Sequence, residues 1–267
     1  MLETARRILR FRSLLATLTL RELKARYRGS ALGFLWSLIN PLLLLAVYSF
    51  VFGVAFKPSH RAGTEPYALF LVTGLFPWIW VSSSWNEAAV SLAANAGLIK
   101  KAVFPAELLP IVSVLANGAH FLLALPILGA ALAAGRALGQ PVGGWSALLL
   151  PLVVGLELVL LAGGALALAA LNAHFKDVKD ILANVLTLLF FLTPILYPLA
   201  AIPYPALQRL VAANPVTPFT LAYQQTLFAG EVPGPMLWLA MAGWAAASWL
   251  LGSFLFGRLR ETLVEAV

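Results

Sequence analysis

The chain has 267 residues, 61% of them hydrophobic and 11% charged, with no cysteine and a mean hydropathy of +0.89. An ordinary soluble domain carries roughly 25% charged residues, so this composition excludes one and fits a chain solvated mainly by lipid. The absence of cysteine rules out disulfides, thiolate nucleophiles and cysteine metal sites, and His60, His120 and His174 lack ligand spacing, so neither a metal nor a cofactor is expected on this chain. The formal charge of +7 is placed at the ends of apolar segments rather than on one patch, which favours anionic membrane lipids over nucleic acid as the partner.

The amino-terminal segment carries Arg6, Arg7, Arg10, Arg12, Arg21, Lys24, Arg26 and Arg28 and runs directly into an uncharged apolar stretch over 31–56. Basic flanks are held on the cytoplasmic side while about 20 apolar residues cross the hydrocarbon. This basic region is too long for a cleaved signal peptide, so the amino terminus is read as retained. Residues 13–28 read as an amphipathic helix along the cytoplasmic interface, with Leu20, Leu23 and Tyr27 on one side and Arg21, Lys24 and Arg28 on the other.

Further apolar segments follow over 67–92, 108–134, 145–171, 181–197 and 236–256, giving six expected spans. With the amino terminus inside, fourteen Lys/Arg fall on the cytoplasmic side, and only Lys57, Arg61, Arg136 and Arg209 fall outside. That bias predicts six crossings with both termini cytoplasmic. The fifth connection, 198–235, is long, proline-punctuated and partly apolar. It reads either as short helices re-entering the outer leaflet or as a folded external loop. The expected fold is therefore an all-α polytopic membrane protein. An interface helix over 1–30 precedes a six-span domain over 31–257, with a short cytoplasmic tail over 258–267.

No phosphate-binding loop, nucleophile elbow or metalloprotease motif occurs, so the chain is read as non-enzymatic. Two cytoplasmic connections stand out. The first, over 95–110, mixes Leu98, Ile99, Val103 and Phe104 with Lys100 and Lys101; the second, over 172–180, sets Phe175 among Lys176 and Asp177. Apolar side chains on a cytoplasmic loop call for a partner surface, although an ordinary solvated turn is the alternative for each loop taken alone.

Within the spans, Glu87 and Glu157 are costly unless they pair, face a cavity or carry a proton, and a proton relay through them is the rival mechanism. Many aromatics sit at span ends as interfacial belts. Others, Trp36, Tyr48, Phe52, Trp85, Phe190, Phe191 and Tyr197, are candidates for lining a path whose flat apolar faces meet sugar C–H surfaces. The spacings Gly129/Ala133 and Gly163/Ala167 suit close helix packing.

Taken in order, the segment 21–41 (RELKARYRGSALGFLWSLINP), the loop 98–105 (LIKKAVFP), the element 175–177 (FKD) and the stretches 191–198 (FLTPILYP) and 214–217 (NPVT) resemble the membrane permease of ABC transporters that export polysaccharides: O-antigen, capsule and teichoic acid exporters. The resemblance covers nearly the whole chain. One departure is Lys176, where the family more often has arginine; charge is kept but a bidentate contact is not.

The resemblance implies a homodimer in the bacterial cytoplasmic membrane, joined by two copies of a separate ATPase that binds ATP and magnesium. It implies that Leu98, Ile99, Lys100, Lys101, Val103, Phe104 and Pro105 form a coupling helix, with Phe175, Lys176 and Asp177 as a second ATPase contact, and that residues 198–218 form external gate helices. The expected cargo is an undecaprenyl-linked polysaccharide, most nearly O-antigen, whose pyrophosphate headgroup suits Arg21, Lys24 and Arg28. The rival is a proton-coupled secondary transporter using Glu87 and Glu157.

Overall fold

The structure, a computed structural model, describes residues 2–30, 32–51, 64–101 and 104–263. The amino-terminal region forms two helices, α1 (Leu2–Arg10) and α2 (Arg12–Arg26), divided at Phe11. Leu15 and Leu18 of α2 are buried and pack towards α6 (Leu108–Ala137). Leu20 is 57% exposed and lies on the basic side, not with Leu23 and Tyr27 as the amphipathic pattern suggested. The docked face is set by Leu15, Leu18, Glu22 and Arg26, spaced three and four apart, and two residues beyond Leu18 the helix has turned well past that face.

The remaining helices are α3 (Trp36–Phe50), α4 (Tyr67–Ala94), the short α5 (Ala96–Lys101) before α6, then α7 (Leu150–His174), α8 (Val178–Leu192), α9 (Pro205–Ala212), α10 (Thr217–Tyr223) and α11 (Pro235–Leu259). No strand occurs among the described residues. Four helical stretches are long and apolar enough to cross a membrane: Tyr67–Ala94, Leu108–Ala137, Trp145–His174 and Pro235–Thr262. These match four of the six expected spans. The other two, α3 and α8, have 15 residues each, about 22 Å of helix against roughly 30 Å of hydrocarbon. The first expected span continues into residues 52–56, outside the described residues. In the fifth, Pro194 lies just past the last helical turn, and the chain leaves α8 in extended backbone at Thr193.

Helix α4 is the centre of the bundle, packing against α3, α6, α7, α8 and α10. Indole N–H groups fasten it to its neighbours: Trp80 donates to the Val114 carbonyl at 3.0 Å and Trp85 to the Leu161 carbonyl at 3.3 Å. The tightest pairing joins α7 to α11. A Cβ on Gly163 would meet the Ser248 carbonyl carbon at 2.3 Å, and one on Gly252 would meet the Gly163 oxygen at 1.9 Å. Only residues without a side chain allow the two backbones this close. Gly129 and Ala133 instead face outward, and no described atom lies within 4 Å of a Cβ built on Gly129, so that pair joins no helices among the described residues.

The connection before α11 is divided in character. Helix α9 is largely exposed, whereas α10 and the π turn that follows it, Gln224–Ala229, are buried among α4, α7 and α11. Phe219, Ala222 and Tyr223 are 0% exposed. This part of the connection is core, not a loop laid over the surface.

Candidate translocation face and cytoplasmic contacts

The open side of α2 carries Arg21, Lys24 and Arg28, which line a shallow concavity of about 390 Å³ together with Thr17, Leu20 and Ala25. All three basic side chains are exposed. Such a cluster can gather anionic headgroups at the interface. Arg26 behaves differently. Its guanidinium turns inward, donates to Asn117 Oδ1 at 2.9 Å and forms an ion pair with Glu87, and Asn117 Nδ2 donates to the same Glu87 carboxylate at 2.7 Å. One residue on, the Tyr27 hydroxyl lies 3.1 Å from His120 Nδ1. In the sequence Arg26 is one residue of the basic flank. The available signal was its spacing from Leu15, Leu18 and Glu22, which puts it on the docked face.

Beside this cluster, α2, α3, α4 and α6 line a half-open cavity of about 320 Å³ with both polar and aromatic groups, among them Trp36, Asn40, Ser83, Trp80 and His120. Trp36, an expected path residue, is 38% exposed. The open side of α4 next to it is polar: Ser82 and Ser83 are half-buried and Asn86 is exposed, with Ile79 and Val90 above and below. Asn86 Nδ2 donates back to the Ser82 carbonyl at 2.9 Å. A strip of serine and asparagine along an otherwise apolar helix suits water, a polar solute or another chain better than lipid tails. These residues are small and carry no aromatic signal, so the strip is not legible in the sequence.

The other expected path residues divide. Tyr48 is half-buried and packs against the main core. Phe190 is half-buried beside Trp78, ring centroids 5.8 Å apart, while Phe191 is 60% exposed and its carbonyl accepts from the Tyr197 hydroxyl at 2.8 Å. Trp85, expected in the path, is instead buried between α4 and α7 against Gly164, and it serves the scaffold. Phe52 lies outside the described residues.

At the end of the bundle that holds α1, the short helix expected around Leu98 is α5. Leu98 is 37% exposed and Lys100 is exposed, but Ile99 is buried in the core shared by α2, α6 and α11, and Phe104 packs against the same cluster. The chain itself covers Ile99, so its burial needs no partner. Pro105 is buried too, whereas Val103 and the side chain of Lys101 lie outside the described residues. Phe175 is 63% exposed, with Lys176 and Asp177 exposed beside it. Nearby, Arg7 Nε stands 3.1 Å from the carboxylate of Glu107, a buried acid the sequence reading passed over.

The pattern of the ABC-2 type transporter family matches residues 13–228. The chain belongs to this family. It is 36% identical over 269 residues to the O-antigen export system permease protein RfbA of Myxococcus xanthus, covering 100% of both chains. It is 34% identical over 217 residues to the O-antigen export system permease protein RfbA of Klebsiella pneumoniae, 81% of each chain, and 27% identical over 195 residues to the polysialic acid transport protein KpsM of Escherichia coli, 70% of each.

In this ABC-2 transporter chain both intramembrane carboxylates have partners. Glu87 holds Arg26, and Glu157, 0% exposed on α7, accepts a hydrogen bond from the Tyr223 hydroxyl of α10. The two stretches 191–198 and 214–217 also meet: Asn214 Nδ2 donates to the Thr193 hydroxyl at 2.9 Å, and Asn214 Oδ1 accepts from the Val216 N–H at 2.9 Å. Gln224 Nε2 adds a bond to the Pro194 carbonyl at 2.8 Å. These contacts join the end of α8 to the buried helix α10.

Proposed function

We propose that this multi-pass membrane protein is the permease subunit of an ATP-driven exporter that carries an undecaprenyl-linked polysaccharide of the O-antigen class across the bacterial cytoplasmic membrane. The observation that carries this reading is the similarity to an O-antigen export permease over the full length of both chains. The match to the polysialic acid transport protein is weaker and shorter.

The working unit on this reading is a homodimer of six-span subunits bound to two copies of an ATPase, with both termini cytoplasmic. The boundaries 1–30, 31–257 and 258–267 separate interface helices, membrane domain and tail. Helices α3 and α8 count as the first and fifth spans, and α9 with α10 forms the re-entrant external segment. Arg21, Lys24 and Arg28 gather the pyrophosphate headgroup at the cytoplasmic surface. The glycan then passes along the polar strip of α4, with Trp36, Phe190 and Phe191 beside it.

The coupling surface centres on Leu98 and Phe175, the exposed apolar residues of the two cytoplasmic connections. Lys100, Lys176 and Asp177 rim it, and Ile99, Phe104 and Pro105 support it from within. ATP and magnesium bind the partner, not this chain. Proton-coupled transport through Glu87 and Glu157 finds no favourable observation, since each carboxylate is engaged by a neighbouring helix.

Deletion of the chain in its host tests the reading. Loss of surface polysaccharide, with lipid-linked glycan accumulating on the cytoplasmic side and recovery on complementation, is expected. Unchanged surface polysaccharide and no accumulation would overturn it.

A further inference from the structure

We propose that the half-open cavity lined by α2, α3, α4 and α6 is a binding subsite for an uncharged sugar residue; the inference rests on the export reading and names a place where the glycan is held.

The charge balance of the cavity selects the ligand. Arg26 lines it, but this arginine is already paired with Glu87, and Asn117 bonds both partners. A phosphate or uronate would therefore meet a cation whose charge is largely compensated, next to a carboxylate that repels it. A hydrocarbon tail fits no better. Asn40 from α3, Ser83 from α4 and His120 from α6 line the same space, and an apolar occupant would strip water from those groups without replacing its hydrogen bonds.

A neutral polyhydroxylated ring meets both demands. Its hydroxyls can bond to the amide, the hydroxyl and the imidazole, and its C–H face can lie on an indole. Trp80 is engaged on one face by Phe121, the rings stacked at 5.1 Å and 10°. Trp36 is 38% exposed and opens to the cavity from the start of α3, which makes it the platform. The volume of about 320 Å³ falls at the small end of ligand sites, roughly 300–1,000 Å³. One sugar fits the space, not an extended oligosaccharide.

Position supports a role during passage. The cavity borders Ile79 and Ser83, which also belong to the open face of α4 beside the polar strip, and its floor is the cluster that fastens α2. A residue of the glycan held here would sit between the basic interface helix and the strip along which the chain moves.

Fluorine NMR on the permease in complex with its ATPase, labelled with 5-fluorotryptophan, tests the subsite; the Trp36 signal is assigned by its loss in Trp36→Phe. The probes are methyl glucoside, galactoside, mannoside and rhamnoside, methyl glucuronide, and a short-chain phosphatidylglycerol. At least one neutral glycoside should shift the Trp36 signal saturably, and Asn40→Ala or Ser83→Ala should weaken that binding about fivefold. Glu87→Gln, which removes the compensating charge, should raise the affinity of the glucuronide relative to the neutral glycoside by about tenfold.

Response to the phospholipid alone, response to no glycoside, or binding that is unaltered in both Asn40→Ala and Ser83→Ala would overturn the proposal. A complex that exports polysaccharide while Trp36 stays silent defeats the subsite and leaves the export reading intact. A complex that binds glycoside at Trp36 and moves no polysaccharide under ATP defeats the export reading instead.

Discussion

Arg26, in the last turn of the amino-terminal helix α2, forms an ion pair with Glu87 inside α4, and Asn117 of α6 bonds to both. Helix α2 is thus fastened to two helices of the bundle by a cluster whose charges cancel.

Removing the cation should loosen this attachment. Arg26→Ala leaves a part-buried carboxylate with only an amide for a partner, a cost on the order of 1–3 kcal/mol. Because the chain has no cysteine, a cysteine placed at Leu18, buried on the docked face of α2, can report it. Maleimide labelling of Leu18→Cys should be slow in the parent and at least several-fold faster with Arg26→Ala. Equal rates would show that α2 is held by its apolar face alone.

The α7–α11 crossing should tolerate no side chain at its centre. Gly163→Ala and Gly252→Ala each force backbones apart, and overpacking of this kind costs roughly 1–3 kcal/mol or more. Gly129→Ala, with open space around it, should be neutral within about 0.5 kcal/mol. Thermal unfolding of the purified protein in detergent separates the cases, and a loss of stability at Gly129 equal to that at Gly163 would contradict the assignment.

The Tyr223–Glu157 contact should behave as a pair. Tyr223→Phe strands a fully buried carboxyl and should destabilise by about 1–3 kcal/mol. Adding Glu157→Leu to it removes the stranded group as well, so the double variant should be less destabilised than the sum of the single ones. Simple additivity in thermal unfolding would mean that the hydrogen bond contributes nothing to holding α10 in place.

On the export reading, Phe175→Asp should weaken binding of the ATPase, since burying one phenylalanine is worth roughly 1.5–3 kcal/mol, or tenfold to hundredfold in affinity. Ile99→Asp should fail differently: its side chain is buried in the chain's own core, so the permease itself is expected to be lost. Quantitative co-purification, alongside the yield of folded permease, tells these outcomes apart. Wild-type co-purification with Phe175→Asp would move the contact elsewhere.

Four of the six expected apolar spans, the short helix at Leu98 and the grouping of Arg21, Lys24 and Arg28 on one side of α2 were legible in the sequence because each depends on local composition and spacing. Roles set by distant neighbours were not. Trp85 looked like a path residue until its indole was found bonded to Leu161, 76 positions away. Arg26 looked like one more flanking charge, because its partners Glu87 and Asn117 lie on helices whose rotation no single-chain pattern fixes. The proline-rich connection allowed either short helices re-entering the outer leaflet or a folded external loop. The hydrogen bonds of Asn214 to Thr193 and of Gln224 to Pro194, together with the burial of Phe219 and Tyr223, put α10 inside the bundle.

Transport in a defined system tests the export reading most directly. The permease and its ATPase are reconstituted in sealed vesicles with lipid-linked polysaccharide on the ATPase side, and appearance of glycan on the far side is followed with ATP, with a non-hydrolysable analogue, and with ATP plus a protonophore. Transfer that requires ATP hydrolysis and is unaffected by the protonophore is expected. Transfer without ATP that collapses when the proton gradient is removed would contradict it and return Glu87 and Glu157 to the centre of the mechanism.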